Sequence, residues 1–289
     1  MIPELSQLPM NPTLAGQAEL LENIRYSENG QTLSLLLPWA PHDNRENQAP
    51  HPLIVFVQGS AWTTPNLCYE IPMLSRYAEE GFAVATVSHR STTDGHPFPA
   101  FLIDVKCAIR FLRANAKTYA IDPTRVLAFG TSSGGNTVCL LGLTGDDPEF
   151  RTEEYSAYSD SVDAVVSCFA PTDLPALFDY LKDMPDANAI LGAYFGSDPG
   201  HWHEEMEKYS PVNRVRPGSF PPFLLLHGTG DTLVPGSQME TLYLKMKEAG
   251  LNVKAAYVTG AEHEGNFWSP QVRTLIHETI LRQLTSRKE

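Results

Sequence analysis

The chain has 289 residues, of which 42% are hydrophobic and 19% are charged. Apolar residues recur along its whole length, which excludes a largely disordered chain and provides the side chains for a large buried core. The formal net charge of −13 repels phosphate backbones, so we expect no nucleic acid partner.

The amino-terminal segment, residues 1–20, has no Lys or Arg and no continuous apolar stretch, so we expect no secretory signal. No stretch approaches the ~20 apolar residues of a membrane helix, so we expect no membrane span and predict a cytoplasmic protein. The four cysteines form no Cys-x-x-Cys pair and are expected to be buried free thiols. A homo-oligomer is compatible with this composition.

Strand and helix patterns alternate along the chain. Short apolar runs predict strands at 33–37, 53–57, 82–87, 126–129, 162–169, 223–226 and 253–258. Helical spacing and helix-boundary residues predict helices at 71–80, 101–116, 132–144, 238–249 and 270–287. The polar, proline-flanked segment 41–52 is predicted to be a loop.

This alternation predicts an α/β fold with a mainly parallel central sheet and helices on both faces. Ligands bind such sheets at the carboxyl ends of the strands, so the residues that follow each strand matter most. Segment 174–210 interrupts the alternation with short helical patterns, prolines and glycines. We interpret it as a small cap insertion within a single domain that spans residues 1–289.

The strongest chemical motif is Gly130-Thr131-Ser132-Ser133-Gly134-Gly135, between a predicted strand and a predicted helix. It matches the Gly-x-Ser-x-Gly nucleophile elbow, in which a strained turn presents a serine. Small neighbours let strand and helix pass closely, and the amino end of the helix favours developing negative charge. The motif makes Ser132 the predicted nucleophile. Ser133, the rival hydroxyl, is expected to contribute its backbone N–H to an oxyanion hole.

A serine hydroxyl needs a base, and the base needs an acid that orients it. In this fold the chain order is serine, acid, histidine. His263 follows the last predicted strand and is the predicted base, whereas His227, at the end of the strand before it, is expected to shape a turn. Asp231 follows that same strand and is the predicted acid. Asp173 is the alternative, and the unselected acid could help shape the site or cap a helix.

An oxyanion loop is expected directly after the 53–57 strand, where the sequence reads Gln58-Gly59-Ser60-Ala61-Trp62. We expect the N–H of Gly59 or Ser60 to join that of Ser133 as donors to a tetrahedral intermediate. Small residues in this loop let the backbone approach a substrate.

Four side chains are predicted to contact the substrate, namely Trp62, Leu177, Tyr194 and Phe195. The last three belong to an aromatic-rich part of the cap, which serves equally well to pack the cap onto the core. The segment His201-Trp202-His203-Glu204 lacks a third ligand nearby, so we expect no metal. There is no dinucleotide fingerprint and no P-loop, so we expect no cofactor.

Together these motifs resemble the bacterial α/β-hydrolase esterases grouped with feruloyl and acetylxylan esterases, near the hormone-sensitive-lipase-like esterases and kynurenine formamidases. The resemblance covers about residue 25 to the carboxyl terminus. These families usually carry His-Gly-Gly-Gly-Trp in the oxyanion loop, where this chain has Gln58, Ser60 and Ala61 in place of the histidine and two glycines. The resemblance implies a carboxylesterase, often acting on acetyl or hydroxycinnamoyl esters of plant-derived carbohydrate.

The sequence therefore predicts a serine carboxylesterase for a small-molecule ester, with Ser132 as nucleophile, His263 as base and Asp231 as orienting acid. Two alternatives stay open at this point. One is an amidase, formamidase or peptidase that uses the same triad. The other is a non-catalytic binding protein that keeps the fold.

Overall fold

The computed structural model describes residues 6–183 and 185–285. Within these residues, eight strands form one sheet in the order β1-β2-β4-β3-β5-β6-β7-β8. The strands are β1 (Ala18–Arg25), β2 (Thr32–Pro38), β3 (His51–Val57), β4 (Ala83–Val87), β5 (Ile121–Thr131), β6 (Ala164–Cys168), β7 (Phe223–Gly228) and β8 (Val253–Val258). Strands β3 to β8 pair in parallel, and β2 is antiparallel to both of its neighbours.

Helices connect the parallel strands and cover the sheet. Those in the described part of the chain are α1 (Ile71–Glu79), α2 (Ala100–Ala114), α3 (Ser132–Leu143), α4 (Leu174–Tyr180), α5 (Ala187–Phe195), α6 (Trp202–Lys208), α7 (Pro211–Arg214), α8 (Ser237–Glu248) and α9 (Pro270–Thr285). Because parallel strands end at the same edge, the loops after β3, β5, β7 and β8 meet at one end of the sheet.

The sheet is buried on both faces. One apolar cluster joins one face of the sheet to α2, α3, α8 and the helices of segment 174–214. A second cluster joins the opposite face to α1 and α9. The strands are continuous apolar runs because both of their faces are covered. The expected α/β architecture, with a mainly parallel sheet and helices on both faces, is confirmed.

Some boundaries differ from the sequence predictions. Strand β1 was not predicted, because its apolar residues do not alternate and it lies partly exposed at the sheet edge. The predicted loop at 41–52 contains a short 3-10 helix and the start of β3. Strand β5 begins at Ile121, before the predicted start, because it pairs with the beginning of β3. Residues 1–5, and the predicted helix end at 286–287, lie outside the described residues.

The segment predicted to be a cap forms α4, α5 and α6, with α7 directly after it. Leu174 and Leu177 of α4 and Tyr194 and Phe195 of α5 are buried in the apolar cluster beneath these helices. The interpretation of 1–289 as a single domain stays a prediction.

A buried ionic network ties α2 to the segment that follows α3. The Lys106 ammonium lies 2.6 Å from Asp160 Oδ1, and the Arg110 guanidinium lies 2.8 Å from Asp160 Oδ2. All three side chains are buried, and Lys106 also donates to the Thr144 carbonyl oxygen at 2.6 Å. Burial lowers the pKa of Lys106, and the nearby Asp160 carboxylate opposes that change. One buried carboxylate therefore balances two buried cations.

We predict that Asp160→Asn destabilises the fold by about 3–5 kcal/mol, because it leaves buried cations without their counter-charge. Urea unfolding followed by circular dichroism measures the change. The matched control is Asp179→Asn, which removes an exposed partner of Lys182 and is expected to cost less than about 1 kcal/mol. Equal unfolding midpoints for the two variants would show that the network contributes no such stability.

Candidate active site

The turn between β5 and α3 holds Ser132 in a strained backbone conformation. Its φ angle is 51°, in the left-handed region that non-glycine residues rarely occupy. A Cβ atom on Gly134 would lie 2.0 Å from the carbonyl oxygen of Val57, and one on Gly130 would lie 2.3 Å from that of Gly134. Glycine at both positions therefore lets α3 begin directly against the ends of β3 and β5.

The structure brings Ser132, His263 and Asp231 into one hydrogen-bonded line. His263 Nε2 lies 2.9 Å from Ser132 Oγ, and His263 Nδ1 lies 2.7 Å from Asp231 Oδ2. A carboxylate only accepts hydrogen bonds, so Nδ1 carries the proton and Nε2 is left to accept from the serine hydroxyl. The three residues come from the loops after β5, β7 and β8, which end at the same edge of the sheet.

Asp231 is buried and surrounded by donors. Its Oδ1 accepts the backbone N–H groups of Leu233 at 3.0 Å and Val234 at 2.9 Å. Its Oδ2 accepts from His263 and also lies 3.3 Å from Nε2 of His227. Burial alone would raise the pKa of Asp231, but the hydrogen bonds from His227, His263 and Val234 outweigh it and hold that pKa well below its usual range.

Two loops carry the acid and the base: the acid loop, residues 229–236 after β7, and the histidine loop, residues 259–264 after β8. Hydrogen bonds join these two loops. Gly230 N–H donates to the Ala261 carbonyl oxygen at 2.8 Å, and Gly260 N–H donates to Thr229 Oγ1 at 2.7 Å. Phe169, at the end of β6, packs edge-on against the His263 ring with the centroids 4.8 Å apart. These contacts fix the imidazole between its two partners.

The alternative residues have other partners. His227 Nε2 lies 2.8 Å from the Val234 carbonyl oxygen. Because it also lies 3.3 Å from Asp231, His227 contacts both the acid and the loop that carries it. Asp173 accepts the Ala176 N–H at 3.1 Å and caps α4. Ser133 Oγ accepts the Ser60 N–H at 2.9 Å. The contact between His227 and Asp231 was missed from the sequence, although their i,i+4 spacing after a strand could have suggested it.

Two amides of the predicted oxyanion loop are already hydrogen-bonded to side chains. Gly59 N–H donates to Thr131 Oγ1 at 2.9 Å and is therefore already bonded in this structure, so its role as an oxyanion donor stays a prediction. Glycine is needed here for another reason, since a Cβ atom would lie 2.7 Å from Ser132 Cβ. Ser60 N–H is also engaged, with Ser133 Oγ. The hydroxyls on either side of Ser132 thus hold two successive amides of the loop.

A tight turn follows at Ser60–Thr63. Thr63 N–H donates to the Ser60 carbonyl oxygen at 2.9 Å. Ala61 and Trp62, between them, both have left-handed backbones, with φ angles of 49° and 55°. Among the described residues, the N–H of Ala61 donates to no protein acceptor. This amide was not among the predicted donors, because its availability depends on which neighbouring amides the hydroxyls occupy.

The four residues predicted to contact substrate are buried in one large apolar cluster. Trp62 is 3% exposed, Leu177 4%, and Tyr194 and Phe195 8% each. The Trp62 ring lies 5.3 Å from that of Tyr194, and Phe98 contacts Trp62, Tyr194 and Phe195. The three aromatic rings are thus packed against Phe98, and the role of the four residues in substrate binding stays a prediction.

Exposed apolar side chains lie beside the acid loop. Tyr180, at the end of α4, is 51% exposed, and its hydroxyl donates to the Thr232 carbonyl oxygen at 3.0 Å. Leu233, two residues after Asp231, is 46% exposed. These groups form an open, partly apolar border next to the triad.

The cap histidines do not converge. His201 lies 2.8 Å from Asp198, and His203 lies 3.4 Å from Glu207, both at the surface. In the part of the chain that the structure describes, no set of three or more His, Cys, Asp or Glu residues is placed to hold a metal ion. Over that same part, no helix has the length and apolarity needed to cross a bilayer. The cytoplasmic location and self-association stay predictions.

Comparison with known proteins gives consistent similarities. The BD-FAE family model matches residues 42–246. The chain is 28% identical to "Esterase LipC" of Mycobacterium tuberculosis over 68% of this chain and 49% of that protein. It spans about half the length of the curated relatives that it matches first.

Two solved structures share most of the fold. A "truncated form of carbohydrate esterase from gut microbiota" is 28% identical, with a TM-score of 0.79, over 93% of this chain and 97% of the other. Esterase 2 of Thermogutta terrifontis phosphonylated by sarin is 23% identical, with a TM-score of 0.74, over 98% of this chain and 100% of the other. At 23% identity, the similarity to the second structure is evidence for the fold alone.

Glu70 is a buried acid near the triad. It is 7% exposed, and its Oε1 has no hydrogen-bond partner among the described residues. Burial, and to a lesser degree the charge of Glu264, raise the pKa of Glu70 to about 8. Glu264 directly follows His263, so Glu70 lies close to the histidine loop.

This raised pKa predicts that the free energy of unfolding falls as the pH rises. Above about pH 4.5 the unfolded chain ionises Glu70, whereas the folded protein keeps it protonated up to about pH 8, so stability falls as pH rises between those values. We expect Glu70→Gln to match wild type near pH 4.5 and to exceed it by more than about 1 kcal/mol at pH 8 in urea unfolding. Glu79→Gln, at an exposed position of α1, is the control. A Glu70→Gln difference that does not change with pH would contradict the assignment.

Proposed function

The chain belongs to the BD-FAE family of α/β-hydrolase esterases, and on that premise we propose that it is a serine carboxylesterase acting on small carboxylic esters. One observation carries the proposal, namely the hydrogen-bonded line from Ser132 through His263 to Asp231. Such a line activates a serine hydroxyl for acyl transfer, because it gives the departing proton an oriented acceptor.

In the proposed mechanism, Ser132 Oγ attacks the ester carbonyl carbon while His263 Nε2 takes the hydroxyl proton. Asp231 holds the imidazole in its useful tautomer and stabilises the imidazolium that forms. Collapse of the tetrahedral intermediate passes that proton to the departing alcohol and leaves an acyl group on Ser132. Water, deprotonated by His263, then attacks the acyl carbon; the bond to Ser132 Oγ breaks, His263 returns the proton to that oxygen, and the carboxylic acid is released.

The developing oxyanion needs donors that are already in place. We assign this role to the N–H groups of Ser133 and Ala61. Ser133 is at the start of α3, where the first amides have no acceptor within the helix, and the helix dipole favours negative charge there. Ala61 N–H is supported as the second donor because it belongs to the strained turn and its neighbours Gly59 and Ser60 already bond hydroxyls.

We further propose that the acyl group is short and that the alcohol part is larger, such as a carbohydrate. Support for the short acyl group comes from the covered faces of Trp62, Tyr194 and Phe195, which offer no open ring for an aryl acyl group. Support for a larger alcohol comes from the open border at Tyr180 and Leu233 and from the likeness to a protein named carbohydrate esterase.

The test is hydrolysis of p-nitrophenyl acetate, butyrate, octanoate and ferulate by the wild-type protein and by Ser132→Ala. We expect the acetate to be the best substrate, and we expect the variant to lose at least about 1,000-fold in kcat because the nucleophile is gone. Ser75→Ala, a serine on α1, is the control and should keep full activity.

Three other results would each contradict a different part of the proposal. Activity that survives in Ser132→Ala would refute the nucleophile. A preference for ferulate or octanoate would refute the short acyl pocket while leaving the esterase intact. Faster turnover of an acetanilide than of the matching acetate ester would replace the esterase by an amidase.

A further inference from the structure

The hydroxyl of Tyr194, on cap helix α5, reaches the oxyanion loop. It donates to the carbonyl oxygen of Ala61 at 2.8 Å. We infer that Tyr194 is a positioning residue, which holds the Ala61–Trp62 turn in its active shape and makes the proposed oxyanion site depend on the docked cap. This inference rests on the proposed esterase function, since it concerns the same site.

The turn needs external support. Ala61 and Trp62 are consecutive non-glycine residues with left-handed backbones, at φ angles of 49° and 55°. Such conformations persist only where the surrounding structure holds them, and they cluster at functional sites. Left alone, the pair would relax towards ordinary backbone angles, and the N–H of Ala61 would change direction.

Separate hydrogen bonds hold the carbonyl groups of the turn. The Ser60 carbonyl oxygen accepts Thr63 N–H at 2.9 Å and Thr63 Oγ1 at 2.7 Å. The Trp62 carbonyl oxygen accepts Thr92 N–H at 3.1 Å and Thr92 Oγ1 at 3.2 Å. The Ala61 carbonyl between them is held by Tyr194. The Ser60–Thr63 bonds fix the peptide plane that carries the Ala61 N–H, and the Tyr194 bond fixes the next plane. With both planes held, Ala61 cannot rotate out of its left-handed conformation and swing its N–H away.

The position of the Tyr194 hydroxyl is set by packing. Its ring stacks on Phe98 with the centroids 5.6 Å apart and the planes at 18°, and it meets the Trp62 ring edge-on at 5.3 Å. Phe98 N–H donates to the Tyr194 carbonyl oxygen at 2.8 Å. Removing only the hydroxyl should therefore leave the ring, and the cap, in place.

The hydroxyl is a donor at every useful pH. Burial raises the pKa of Tyr194 to about 12, so the phenol stays protonated in any assay near neutrality. Its contribution should therefore show no pH dependence of its own. The pH profile of activity would then keep its shape when the hydroxyl is removed, and only its height would change.

The experiment compares Tyr194→Phe with wild type in p-nitrophenyl acetate hydrolysis. We expect kcat to fall by roughly 10-fold with KM changed by less than about 2-fold, because the loop serves the transition state more than the bound substrate. The rate at which a fluorophosphonate labels Ser132 should fall by a similar factor. The unfolding midpoint should stay close to that of wild type.

Tyr209→Phe is the matched control. Tyr209 is buried in the same aromatic cluster, with its ring 5.9 Å from that of Phe98, and should keep kcat within about 2-fold when its hydroxyl is removed. An unchanged kcat in Tyr194→Phe, or an equal loss in both variants, would overturn the inference. A rise in KM alone would overturn it too, since that result would make Tyr194 a substrate contact.

Failure of the proposed esterase function would give a different result from failure of the Tyr194 inference. In that case neither the wild-type protein nor any variant hydrolyses the esters. The labelling assay still separates the two ideas, because phosphonylation of Ser132 requires the oxyanion donors but no ester turnover. Equal labelling of wild type and Tyr194→Phe would then count against the positioning role by itself.

Discussion

The close approach of α3 to the ends of β3 and β5 is the constraint on which the site depends. Gly130 and Gly134 make it sterically feasible, because a side chain at either would collide with backbone. At this approach Ser132 has a left-handed conformation, and the first amides of α3, which have no acceptor within the helix, lie directly after the nucleophile. It also lets the oxyanion loop rest on the elbow, where Gly59 lies against Ser132. A bulkier residue at any of these glycines would displace the nucleophile and its donors together.

The loops after β7 and β8 set the charge of the site, because they carry Asp231 and His263. Asp231 remains ionised despite its burial because backbone amides and two histidines donate to it. In the proposed mechanism, His263 therefore becomes positively charged beside a carboxylate that is already in place, without a reorganisation of solvent. The oxyanion loop shows the same pattern, since hydroxyl groups from the elbow and the cap hold its peptide planes. In both loops, hydrogen bonds that form before any reaction fix the geometry that the proposed charged intermediate needs.

The fold and the triad candidates were accessible from sequence because they depend on local patterns. Continuous apolar strands, Gly-x-Ser-x-Gly after a strand, and the order of Ser132, Asp231 and His263 each follow from short segments. The edge strand β1 was not accessible, since its apolar residues lack a clear period. The donors of the oxyanion loop and the burial of Tyr194 depend on contacts between distant segments. A sequence shows that an aromatic residue is present, but not which of its faces other rings cover.

The most direct test of the central claim is to trap the acyl-enzyme. The protein is mixed briefly with p-nitrophenyl acetate, quenched in acid, digested and analysed by mass spectrometry. The account predicts one acetyl group per chain, attached to Ser132, together with a burst of p-nitrophenol equal to the enzyme concentration. Acetylation of Ser133 instead, or steady hydrolysis with no acetylated serine, would contradict it.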